Sequence, residues 1–109
     1  MMIDNNFQTM ELMEKIETRL PISVFPTKPL IQTMRESGIR LTSQKMLTIE
    51  KIRYMGDEGG IMCLLGGTGI QKELFVCSLT HLRISPRHPL FKEIHAYQRE
   101  RKNKLAQQS

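Results

Sequence analysis

Between positions 46 and 84 two glycine-rich turns separate three apolar runs, a pattern that a meander of antiparallel strands satisfies and a helical hairpin does not. In the first run Leu47, Ile49, Ile52, Tyr54 and Met55 scatter around a helical wheel instead of forming one stripe. As a strand, Leu47 and Ile49 share a face, and Ile52 and Tyr54 rejoin it if one extra residue is accommodated near Glu50-Lys51. A bulged strand is therefore expected. Asp57-Glu58-Gly59-Gly60 offers a polar reversal with residues able to take positive φ, and Ile61-Met62-Cys63-Leu64-Leu65 suits a central strand. Gly66-Gly67-Thr68-Gly69 reverses the chain again into a third run, Glu73-Leu74-Phe75-Val76-Cys77-Ser78-Leu79, which leads on through Thr80-His81-Leu82-Arg83-Ile84.

Helical patterns flank this region. Asn5 or Asn6 can cap a helix over residues 7–19, with Met10, Leu12, Met13, Ile16 and Leu20 on its apolar side and Pro21 ending it. Residues 21–29 hold three prolines and read as extended, anchored on the core by Val24 and Phe25. Thr27 can cap a second helix over residues 28–37, stopped by Gly38. After the corner Ser85-Pro86-Arg87-His88-Pro89, a third helix over residues 89–104 carries Leu90, Phe91, Ile94 and Tyr97 or Gln98 on one face, then turns polar all round. The fold class expected is α+β: two N-terminal helices, a three-stranded antiparallel β-meander, and a C-terminal helix packed on the sheet with a basic end.

A chain of 109 residues makes one domain with a modest core. Residues 1–6 read as a disordered N-terminus and residues 99–109 as a projecting basic tail. No apolar run approaches the roughly 18 residues of a membrane span, and the first residues lack the basic and apolar regions of a secretory signal. A cytoplasmic protein without membrane partners is expected. Cys63 and Cys77 fit that setting, since both lie within apolar runs where a free thiol behaves as a small hydrophobe.

The net charge of +5 is unevenly placed. Lys/Arg and Asp/Glu balance at nine each over residues 1–79, whereas residues 80–109 carry Arg83, Arg87, Lys92, Arg99, Arg101, Lys102 and Lys104 against Glu93 and Glu100. These seven cations are the candidate contacts for an anionic partner, nucleic acid or an acidic protein surface.

Catalytic chemistry finds little purchase. The glycines at 66–69 lack the third glycine of a dinucleotide fingerprint and the Gly-Lys-Ser/Thr ending of a phosphate loop, and they lead into a strand-like run, so a hairpin turn is expected. His81, His88 and His95 recur every seven residues, but a proline corner divides them among elements and neither Cys-x-x-Cys nor His-x-x-x-His occurs. Ser78 has no glycine-flanked elbow, and Asp57-Glu58 reads as a solvated turn. No catalytic residue, cofactor or metal is assigned.

Locally, Gly38-Ile39-Arg40-Leu41-Thr42-Ser43-Gln44 resembles the Gly-x-Arg-x-Thr-x-Gln segment that opens the winged-helix domain of ferric-uptake-type repressors. The likeness spans some ten residues, 36–45, and the helices and Cys/His ligands that accompany it in that family are replaced here by a glycine turn and a meander. A winged helix would require residues 42–55 to form a recognition helix, against their apolar pattern. The function expected is a small non-catalytic protein-interaction or self-associating module, including a homodimer, with nucleic-acid binding through the basic C-terminal helix as the alternative.

Overall fold

The computed structural model describes Asp4, residues 6–67 and residues 75–108. Among these residues three helices, α1 (Asn6–Glu17), α2 (Lys28–Glu36) and α3 (Phe91–Gln108), accompany five strands, β1 (Ile22–Pro26), β2 (Leu47–Tyr54), β3 (Ile61–Gly67), β4 (Phe75–Ser78) and β5 (Leu82–Ile84). The strands form one curled antiparallel sheet in the order β4-β3-β2-β1-β5. The class is α+β as expected, but the meander β2-β3-β4 is only three-fifths of the sheet.

The two additional strands arise from segments whose local signals point elsewhere. Residues 22–26 are bracketed by Pro21 and Pro26, which favour an extended connector; yet Ile22, Val24 and Pro26 are buried while Ser23 is exposed, the alternation of a strand with one face on the core. This strand pairs with β2 on one side and β5 on the other. The third run, in turn, does not continue straight to Ile84. A 3-10 turn over Leu79–His81, with Ser78 Oγ accepting from the Thr80 amide, swings the chain away from β3, so that Leu82–Ile84 crosses to β1.

The bulge falls where the apolar phase requires it. Pairing between β2 and β3 slips between Ile49 and Lys51, after which Ile52 lies opposite Cys63 and Tyr54 opposite Ile61. The slip returns Ile52 and Tyr54 to the inner face shared by Leu47 and Ile49. With Leu47–Tyr54 a strand, a recognition helix over residues 42–55 is excluded. The first turn contains a 3-10 turn over Gly56–Glu58, which begins at positive-φ Gly56 and is followed by positive-φ Gly60. The turn expected at Gly66-Gly67-Thr68-Gly69 lies largely outside the described residues, although the strands on either side of it pair antiparallel.

The core is filled by the inward residues of all five strands together with Leu12 and Ile16 of α1, Leu30 of α2, and Ile94 of α3. Side chains such as Ile16, Ile61 and Leu65 are wholly excluded from water, each worth about 1.5–3 kcal/mol of transfer free energy. Gly38, at φ 86°, ends α2, and the Ile39 amide reaches back to the Met34 carbonyl at 2.8 Å. Thr27 precedes the helix without capping it by its side chain; its hydroxyl instead donates to the His81 carbonyl at 2.9 Å, fastening α2 to the 3-10 corner. No helix among the described residues is long and apolar enough to cross a membrane.

Candidate functional site

One carboxylate oxygen organises the polar interior. Asp4 Oδ2 accepts from Tyr54 Oη at 3.1 Å, from Tyr97 Oη at 3.3 Å and from Arg101 Nη1 at 3.0 Å. The segment expected to be disordered thus contributes a buried residue, because a carboxylate inserted between two phenols and a guanidinium recovers the hydrogen bonds it loses from water. Tyr54 reaches this point as the last residue of β2, carried inward by the bulge, and Tyr97 and Arg101 stand one turn apart on α3.

The surrounding backbone completes the cluster. The Ile61 amide donates to Tyr97 Oη at 2.9 Å, and Arg101 Nη2 donates to the Asp57 carbonyl at 2.8 Å. Gly60 makes this approach possible: its φ is +64°, and a Cβ there would collide with Tyr97 Oη and with Cζ of Arg101. Every described buried side-chain donor and acceptor has a partner.

Beside the cluster, α1 and α3 line a partly open pocket of about 270 Å³ whose charged lining residues are Asp4, Glu11, Lys15, Glu93, Glu100 and Arg101, with Gln8, Thr9, Leu12, Ala96 and Tyr97 between them. Burial pushes the Tyr97 phenol well above its ordinary value, opposed by the Ile61 amide and reinforced by Asp4; Tyr54 is raised by burial and then by Asp4. Both phenols therefore remain donors at neutral pH. Such a set of donors is suited to holding an anion.

The seven cations read from the sequence separate into distinct places. Arg101 is buried against Asp4, with 3% of its side chain exposed, and so belongs to the body instead of a projecting tail. Lys104 pairs with Glu100 at 3.1 Å. Arg83 lies on the outer sheet face, where it donates to the Pro26 and Ser43 carbonyls and sits 5.8 Å from the Phe25 ring centroid. Arg87 is exposed on the corner before α3. Lys92, Arg99 and Lys102 remain, with His95, along one exposed stripe of α3 at positions i, i+3, i+7 and i+10, a ridge about 15 Å long from the helical rise. None of the three pairs with a carboxylate among the described residues. The His95 ring stacks on Phe91 at 5.2 Å.

The other residues singled out by chemistry have structural roles. Ser78 caps the 3-10 corner and shares a 2.9 Å hydrogen bond with Thr80. His88 Nδ1 accepts from the Leu90 amide at the start of α3. Its pKa, like that of His81, is lowered by burial and then by a nearby cation, Arg19 for His88 and Lys102 for His81. Among the described residues, no group of three or more His, Cys, Asp or Glu is arranged to hold a metal.

No family model matches the chain, and neither a curated protein nor a solved structure matches it.

Asp4, Tyr54 and Tyr97 were not legible as a site in the sequence, where they stand far apart. One signal was available: Arg101 falls in phase with Leu90, Ile94 and Tyr97 on the apolar face of α3, and a charge on a core stripe demands a buried partner.

Proposed function

We propose that the protein is a small non-catalytic interaction module whose binding element is the β4 edge of the sheet, and whose partner is an extended strand, in the simplest case β4 of a second copy. The observation that carries this reading is the contrast between the two ends of the sheet. At one end, β5 has three residues, an arginine at its centre, and a Leu82 carbonyl that accepts from Gln98 Nε2 at 2.7 Å. Each of these blunts an edge. At the other end, β4 reads Phe75-Val76-Cys77-Ser78, with neither charge nor proline, and Val76 is 57% exposed. Among the described residues no further strand pairs with β4; edge strands of this kind accept a further strand through main-chain hydrogen bonds, and pairing of identical edges about a two-fold axis closes without leading to a fibre.

Light scattering over a concentration series tests the proposal. A dimer that Val76→Lys converts to monomer is the expected result, since lysine on an edge strand opposes pairing. A wild-type chain that stays monomeric up to its solubility limit, and gains no strand-forming peptide, overturns it.

A second reading, nucleic-acid binding, is favoured by the alignment of Lys92, His95, Arg99 and Lys102 on one face of α3. Phosphate contacts along such a ridge would make affinity fall steeply with salt, whereas pairing at β4 would respond weakly.

A further inference from the structure

We propose that Tyr54, Tyr97 and Arg101 form a carboxylate-binding socket that Asp4 fills as an internal ligand, and that a small monocarboxylate from solution takes the same place when Asp4 withdraws. The site is separate from the β4 edge and does not depend on that reading.

The socket is organised independently of its occupant. Arg101 is held by its Nη2 bond to the Asp57 carbonyl at 2.8 Å, and Tyr97 Oη by the Ile61 amide at 2.9 Å. Both side chains project from one helix against Gly60, the one residue type that leaves room for them. Loss of Asp4 removes none of these contacts. It leaves a guanidinium and two phenolic donors, all converging where Oδ2 now sits, without an acceptor. Buried donors in that condition gain from any anion of the right shape.

Asp4 is also the member of the cluster that can leave with least disruption. It precedes α1, which begins at Asn6, and takes no part in the sheet ladder. Tyr54 and the Arg101 contact at Asp57, by contrast, belong to the β2–β3 hairpin and its turn.

The adjoining cavity defines the ligand. Its volume of about 270 Å³ exceeds the roughly 150 Å³ that accommodates a benzene ring, so it has room for a carboxylate carrying a short apolar chain, and Leu12 and Ala96 give it apolar wall. With Arg101 matched to the incoming carboxylate, Glu11, Glu93 and Glu100 outnumber Lys15 on the same lining and disfavour a second negative charge. A short-chain monocarboxylate fits this combination better than phosphate or a dicarboxylate.

The test uses the full chain carrying Asp4→Ala, with sodium formate and butyrate titrated against sodium chloride at matched ionic strength. The melting temperature of the variant should rise and saturate with either carboxylate, as ligand linkage requires, and more strongly with butyrate, which enters the cavity. The wild type and the double variant Asp4→Ala/Arg101→Met should respond no more than they do to chloride. If Asp4→Ala is unfolded in chloride, the same titration is followed by circular dichroism, and recovery of the folded signal is the expected result. A response equal to that in chloride overturns the proposal. Restoration by a peptide of residues 1–6 but by neither carboxylate also overturns it, and assigns the socket to acidic chain segments.

Discussion

Arg101 and Asp4, 97 positions apart, form an ion pair at 3.0 Å in which neither side chain is more than 3% exposed. It fastens the N-terminal segment to the last helix, and through Asp57 and Ile61 it fastens both to the first turn of the meander.

Removing one partner should be costly. Asp4→Ala leaves a buried guanidinium without its counter-charge, and a loss of about 3–5 kcal/mol is expected in denaturant unfolding. Asp4→Leu combined with Arg101→Met removes both charges and should lose much less. The chain's charge map alone would let it be cut after Gln98 without harm; since that cut deletes Arg101, it should destabilise the protein on the same scale. A cut after Lys104 should be tolerated, and comparison of the two truncations by thermal melting separates the readings.

Gly60 and Gly56 offer a matched pair. Both have positive φ, but a Cβ at Gly56 meets open space whereas one at Gly60 strikes Tyr97 and Arg101. Gly56→Ala should cost about 1–2 kcal/mol, the price of left-handed backbone alone. Gly60→Ala should cost several-fold more, and should also shift the Tyr97 ring resonances in an NMR spectrum.

The two cysteines face each other across β3 and β4 in direct register, both buried and both free. Burial pushes the Cys77 thiol up to about 12 from 9.0 and raises Cys63 further still, with Cys77 adding to the shift. The stability linked to these protons is fully present below the unfolded thiol pKa, and is lost as pH rises toward the folded values. Unfolding free energy should therefore fall above about pH 9, by up to about 1.4 kcal/mol per pH unit for each thiol. Cys63→Val/Cys77→Val should flatten that alkaline slope, leaving the part due to Tyr97 and Tyr54. At neutral pH both thiols should resist alkylation until the chain is unfolded.

Reversing the ridge with Lys92→Glu, Arg99→Glu and Lys102→Glu should leave the fold intact, because all three side chains are exposed and none is in an ion pair with a described residue. Under the nucleic-acid reading, the slope of log affinity against log salt should shrink by about 0.9 for each phosphate contact removed. An unchanged slope, measured by fluorescence anisotropy on duplex DNA, would leave the ridge as solvated surface.

Local chemistry determined the helices and the meander. The residues that stop α1 and α2, Pro21 and Gly38, act through their own backbone limits, and the bulge near Glu50 follows from the phase of Leu47, Ile49, Ile52 and Tyr54 alone. Tertiary structure decided what needs a distant partner. Residues 22–26 become a strand because β2 and β5 supply hydrogen-bonding edges on both sides, which overrides the prolines at their ends. Arg101 changes from a presumed surface cation to an interior one because the fold brings Asp4 within 3.0 Å of it. Charge counted along a chain records how many cations there are; only the packing of elements far apart in sequence determines which of them are neutralised in the interior and which, like Lys92, Arg99 and Lys102, face solvent.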